Sequence, residues 1–156
     1  MEINRRMATL IAGLGSAAML AGAFGFQIIG GLSPCHLCLL QRWPHAAAVL
    51  IMVLALATNW RLWPWLGAIA ALMTAGIGVF HAGVELGWWE YISSCTQGSI
   101  QGLSASDLLD PTKALPTAPR CDQIPWSFAG ISMAGWNAII SFGLALVWLF
   151  AATRRD

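Results

Sequence analysis

The residues able to do chemistry are the sulfurs. The chain carries four cysteines, Cys35, Cys38, Cys95 and Cys121. Two of them fall in the run Pro34-Cys35-His36-Leu37-Cys38-Leu39-Leu40-Gln41-Arg42. On a helix, steps of three and four keep side chains on one face, so Cys35, Cys38 and Arg42 are expected in one column. Pro34 suits the first turn of such a helix, where its missing N–H costs nothing. The thiols then sit near a helix N-terminus, whose positive dipole end favours a thiolate. Arg42, a turn deeper, acts in the same direction. This pattern reads as a redox dithiol at the edge of a membrane. A Cys-x-x-Cys pair has other uses. It is also half of a zinc site, with His36, Cys35, Cys38 and a loop cysteine as ligands, or an inert structural pair. Zinc-bound thiolates could not also exchange disulfides.

Two further residues bear on this reading. Arg42 lies seven helical steps from Cys35, roughly 10 Å deeper. A charge at that level is costly and marks function; the bland alternative is a snorkelling anchor. His81 lies five positions before Leu86, roughly 8 Å below the same surface. Arg42 and His81 are therefore expected at one level on facing helices. There a cation and a neutral donor can bind the oxygens of a flat, lipid-soluble electron acceptor, unless His81 is simply a satisfied packing histidine. His36 reads as a modulator of the thiols and His45 as interfacial. Cys95 and Cys121 fall in a polar stretch that a soluble partner can reach. They are either a second exchanging pair or a plain disulfide closing the loop.

The elements that must position these groups are membrane spans. The chain has 156 residues, of which 58% are hydrophobic and only 10% charged. Soluble domains carry about 25% charged residues, so an all-α integral membrane fold is expected. A net charge of +1 with scattered cations excludes a nucleic-acid surface. Four apolar runs, about 7–29, 34–57, 65–86 and 126–152, each reach the ~20 residues a spanning helix needs. They predict an antiparallel four-helix bundle forming a single domain, with one long polar loop, 87–125, between helices 3 and 4. Ala21-Gly22-Ala23 resembles a signal-peptide cleavage site, but the apolar run continues past it to Ile29. Small residues Ala17, Ala21 and Gly25 on the first helix predict a packing stripe. So do Ala70, Thr74, Gly78 and Ala82 on the third. Pro44 predicts a kink in the second helix, or is an ordinary membrane-helix proline. Ser104–Leu109 reads as the start of a short loop helix. Asn137 reads as a partner for a neighbouring helix. Nine tryptophans fit interfacial belts. Arg5, Arg6, Arg61, Arg154 and Arg155 collect at one end, against Arg42, Lys113 and Arg120 at the other. The positive-inside rule puts both termini in the cytoplasm. All four cysteines then face outward, which in a bacterium is the periplasm, where disulfides persist.

The Pro34–Arg42 run resembles the P-C-x-L-C-x-x-Q/E-R signature of the bacterial DsbB family of quinone-linked disulfide bond formation proteins. His81-Ala82-Gly83-Val84-Glu85 resembles that family's third-helix motif. Cys121-Asp122, Pro125-Trp126 and Gly130-Ile131-Ser132-Met133-Ala134 resemble its loop exit and fourth helix. The resemblance covers nearly the whole chain. It implies a multi-pass protein of the inner membrane that reoxidises a periplasmic, thioredoxin-like DsbA-type partner. The partner would attack a loop disulfide at Cys95, and Cys121 would exchange with Cys35. Cys38, as a thiolate beside Arg42, would face a membrane quinone, ubiquinone or menaquinone, with His81 beside the quinone head. The alternative from another class is a metal-binding or metal-transporting membrane protein using the Cys/His cluster.

Overall fold

The computed structural model describes residues 4–91 and 119–154. Four helices carry the described chain: α1 (Arg5–Ile28), α2 (His36–Thr58), α3 (Trp63–Glu85) and, after a two-strand ribbon, α4 (Met133–Thr153). All are long and apolar enough to cross a membrane, so this is a multi-pass membrane protein. Large apolar side chains such as Leu14, Val53, Ile69 and Phe142 point outward from every helix. An aqueous surface rarely exposes contiguous apolar area on that scale, whereas lipid requires it. Cys95 and the short helix expected at Ser104–Leu109 lie outside the described residues.

The bundle is closed by small residues. Helix α3 is the most enclosed of the four; it packs chiefly on α4 and α2. Its stripe Ala70, Thr74 and Gly78 is buried, and a Cβ on Gly78 would press on the α4 backbone, 3.0 Å from the Ala138 nitrogen. Toward one end, Trp148 fills the core among Ala12, Met52, Ala68, Ala71 and Ala145. Its ring lies where a Gly67 Cβ would be, 2.5 Å away. Trp148 thus departs from the interfacial role expected of the tryptophans. Trp60 and Trp63 at one end, and Trp88 and Trp89 at the other, fit it.

Three expectations are corrected. The α1 stripe does not pack: Ala21 is exposed and nothing lies within 4 Å of a Cβ on Gly25. Only the first half of α1 is buried, through Ala8, Thr9, Ala12, Gly13 and Ser16. Beyond it, Ala18, Gly22 and Ala23 form the wall of a cavity. The second helix begins at His36 rather than Pro34, with Cys35 as its N-cap. It continues unbroken through the buried Pro44. The last helix begins at Met133 rather than Trp126. Residues Ser127–Phe128 and Ile131–Ser132 pair as an antiparallel ribbon. Ala129 (φ 52°) and Gly130 (φ 78°) make its turn, the left-handed conformation that twisted two-residue hairpins need. Ser132 then caps α4, accepting a hydrogen bond from the Gly135 N–H at 3.1 Å.

The ends of the bundle are chemically distinct. Arg5 donates to the Asn59 carbonyl at 3.1 Å, and Arg6 donates to the Leu56 carbonyl at 3.2 Å. The start of α1 therefore sits beside the α2–α3 turn that carries Arg61. Cys35, Cys38 and Cys121 occupy the opposite end.

Candidate functional site

The site is built where the start of α2, the end of α3 and the segment before α4 meet. Cys35 caps α2: its Sγ accepts from the Cys38 N–H at 3.3 Å. The same geometry places the Cys38 thiol 2.9 Å from Cys35 Sγ, within hydrogen-bonding distance. Cys35 and the fully buried Cys121 pack together with Leu37 and Val84. Cys35, Cys38 and Cys121 are all thiols here. The hydrogen bond that Cys35 shares with Cys38, and then burial, push the Cys35 thiol up.

Arg42 is tied to α1. It donates to Gln27 Oε1 at 2.7 Å and to the Ala23 carbonyl at 3.3 Å. Its guanidinium carbon stands 4.7 Å from the centre of the Phe24 ring. Gln27, an amide inside an otherwise apolar helix, is a site residue that sequence reasoning missed; its polarity was the available signal. His81 is buried and makes contacts to both sides. Its Nδ1 is 2.9 Å from the Gln41 amide nitrogen, and its Nε2 is 3.5 Å from Cys35 Sγ. Glu85, one turn on, brings Oε1 within 3.8 Å of His81 Nε2. Sequence reasoning gave Gln41 and Glu85 no role of their own; the four-residue step from His81 to Glu85 was the signal for the second.

Two histidines stand elsewhere than expected. His36 turns to Tyr91, with Nδ1 2.7 Å from the phenol oxygen. His45 is not interfacial but buried in the bundle, at 3% exposure. Its Nε2 lies 2.9 Å from Asn137 Oδ1, and Asn137 donates to Thr74 Oγ1 at 3.2 Å. The expectation that Asn137 bonds a neighbouring helix fits this network. His45 escaped because residue type alone does not say which face of α2 turns inward.

A cavity of about 730 Å³ opens beside the sulfurs, and Cys35, Cys38, Arg42, His81 and Glu85 all line it. Its volume falls in the ~300–1,000 Å³ range of small-molecule pockets. Phe26 and Trp126, with ring centroids 5.1 Å apart, stand at its edge. The Trp126–Ser132 ribbon contributes Phe128 to the same wall. The metal reading finds a different donor set from the one expected: ligand atoms of Cys35, His81 and Cys121 lie within 4.8 Å of one another, and His36 faces Tyr91 instead.

A bundle of membrane helices that holds three thiols at its mouth, two of them three residues apart, defines a membrane protein with a thiol–disulfide site. Comparison with known proteins makes the class specific. The chain belongs to the DsbB family of disulfide bond formation proteins, which it matches over residues 5–151. It is 34% identical to disulfide bond formation protein B of Xanthomonas oryzae pv. oryzae, over 92% of this chain and 87% of that one. It is 32% identical to the Methylococcus capsulatus protein of the same name, over 90% of each chain. Against that of Hahella chejuensis it is 27% identical, over 91% of this chain and 90% of the relative. No solved structure matches it. The chain is thus a disulfide-forming oxidoreductase of the membrane.

Proposed function

We propose that this protein reoxidises a periplasmic DsbA-type dithiol protein and passes the electrons to membrane quinone. The observation that carries the reading is the joining of two sulfur positions to one cavity. Cys35 lies between Cys121, on the polar segment, and Cys38, on the cavity wall. A partner thiolate would attack Cys95, releasing Cys121. Cys121 would exchange with Cys35, leaving Cys38 as a thiolate at the helix N-terminus. The end bearing Arg5, Arg6, Arg61 and Arg154 would face the cytoplasm, and the sulfur end the periplasm.

The cavity residues fit a quinone. Its walls include apolar Met19, Phe26 and Ile140. Arg42 offers a fixed cation whose buried Nε has no partner, and His81 lies on the same wall. A bound quinone supplies an acceptor for two electrons and two protons. Arg42 would orient the acceptor's oxygen and stabilise the Cys38 thiolate, while the ribbon and α1 exclude water.

The test is quinone reduction by the purified protein with reduced partner. Cys38→Ser should abolish turnover while the partner still forms a mixed disulfide through Cys95. Full turnover in that variant refutes the reading. A metal-binding function is favoured only by the approach of Cys35, His81 and Cys121; stoichiometric zinc or copper after mild purification would support it instead.

A further inference from the structure

Joining two thiols releases two protons, and Cys35, the more buried of the α2 pair, is poorly placed to lose its proton to bulk water. Cys35 is 4% exposed and Cys121 is fully enclosed. The His81 ring lies close to both, its ligand atom within 4.8 Å of each sulfur. Its Nε2 stands 3.5 Å from Cys35 Sγ, and the main chain of Cys121 reaches the same ring. Its other nitrogen meets the buried Gln41 amide at 2.9 Å. The Gln41 backbone is held in turn, its carbonyl accepting from Thr74 Oγ1 at 3.2 Å. An amide offers a donor and an acceptor on one planar group, so it serves Nδ1 whether or not that nitrogen carries hydrogen. The ring is therefore fixed in position and free in protonation state.

Glu85 supplies the other half. Its side chain is 2% exposed, with Oε1 3.8 Å from His81 Nε2. Oε2 is buried without a hydrogen-bond partner, and the residue lines the cavity. Leaving a carboxyl oxygen buried and unsatisfied is costly.

We propose that His81 and Glu85 form a proton relay from the sulfur pair to the cavity, with His81 as the base for Cys35 and Glu85 as the exit. The relay rests on the redox reading above and deepens it. In the step it serves, the Cys35 S–H bond breaks and the Cys35–Cys38 S–S bond forms. The electron pair leaves through Cys38 to the acceptor, a quinone. The Cys35 proton goes to His81 Nε2 and then to Glu85 Oε1, and Oε2 releases a proton into the cavity. The second proton, shed when Cys38 ionises, returns from solvent, so two electrons and two protons reach the acceptor. The 3.5 and 3.8 Å gaps are within the closing motion that such sites make on binding. Among the described residues, the titratable and charged groups around His81 are Cys35 and Cys38 from the start of α2, Cys121 from the segment before α4, and Glu85 from its own helix; Tyr91 packs on the same sulfur cluster, Arg42, His45 and Arg120 line the same cavity, and the ribbon brings the Ser132 hydroxyl against Glu85.

The test uses Glu85→Gln, which keeps shape, and His81→Asn, which removes the base. The first readout needs no quinone. Redox difference infrared spectra of the quinone-free protein, recorded as dithiothreitol reduces Cys35–Cys38, should show a deuterium-sensitive carboxyl band that vanishes in Glu85→Gln. The second is single-turnover oxidation of the reduced pair by a soluble quinone. Glu85→Gln should slow it about tenfold near neutral pH, and His81→Asn about a hundredfold, the lower end of what general bases contribute. Both deficits should shrink at alkaline pH, where thiols ionise unaided, and formation of the partner–Cys95 mixed disulfide should keep its wild-type rate. An absent carboxyl band, or a Glu85→Gln rate equal to wild type at every pH, overturns the relay while leaving quinone reduction intact. Failure of the wild-type protein to reduce quinone overturns both.

Discussion

Truncating Arg42 to alanine separates the two halves of the proposed reaction. The guanidinium makes one short hydrogen bond to Gln27 and a longer one to the Ala23 carbonyl, and keeps a buried Nε with no protein partner. That nitrogen is available to a ligand in the adjoining cavity. A hydrogen bond from a charged donor contributes about 1.5–3 kcal/mol net. At about 1.4 kcal/mol per tenfold, Arg42→Ala should raise the KM for quinone by about 10- to 100-fold. The KM for the protein partner should change by less than about threefold, under the ~1 kcal/mol of a surface contact. Arg42→Lys should fall between, because it keeps the charge and loses the planar fork. Part of the alanine effect could come from freeing α1, so Gln27→Ala serves as the control; it loosens the same helix and keeps the cation. The assay is steady-state kinetics with quinone and reduced partner varied separately. An unchanged quinone KM together with a raised partner KM refutes the assignment of Arg42 to the cavity.

Other outcomes follow from the buried network and the exposed segment. Asn137→Leu leaves His45 Nε2 only the longer contact to the Ser141 hydroxyl, at 3.4 Å, and leaves Thr74 Oγ1 only its bond to the Gln41 carbonyl, and should cost about 1–3 kcal/mol. Unfolding in detergent measures this, and the His45→Leu/Asn137→Leu double variant should recover part of it; wild-type stability in the single variant would show that the network is not load-sharing. Asp122 is held below the usual carboxylate range by the Arg120 guanidinium, whose Nε donates to it at 2.9 Å. A lowered carboxyl contributes stability that is present above its unfolded pKa, about 3.9, and is lost as pH falls through the lower folded value. Both side chains are exposed, 48% and 39%, so Asp122→Asn should lower the midpoint at pH 7 only slightly, and the difference from wild type should vanish as pH falls below the folded value. A clear loss at pH 7 would contradict that.

The amino-acid sequence by itself determined the spans, because lipid forces every crossing segment to be long, apolar and helical, and those properties are local. It also marked the Cys35–Cys38 pair and Arg42, since a thiol pair and a charge stand out against an apolar run. It placed the last helix too early because Trp126–Ser132 carries no charge and runs straight into the span it precedes. Only the packed structure set it aside as a ribbon, through the left-handed turn at Ala129 and Gly130. It read Ala17, Ala21 and Gly25 as a contact face, yet small side chains serve a void as well as a contact, and here α1 diverges to wall a cavity. The neighbours of His81 were likewise out of reach. Gln41, Cys35 and Cys121 come from 40 or more positions away along the chain, and their meeting depends on the relative rotation of α2 and α3. No residue encodes that angle alone; it is fixed by how Thr74, Gly78 and their facing partners close-pack.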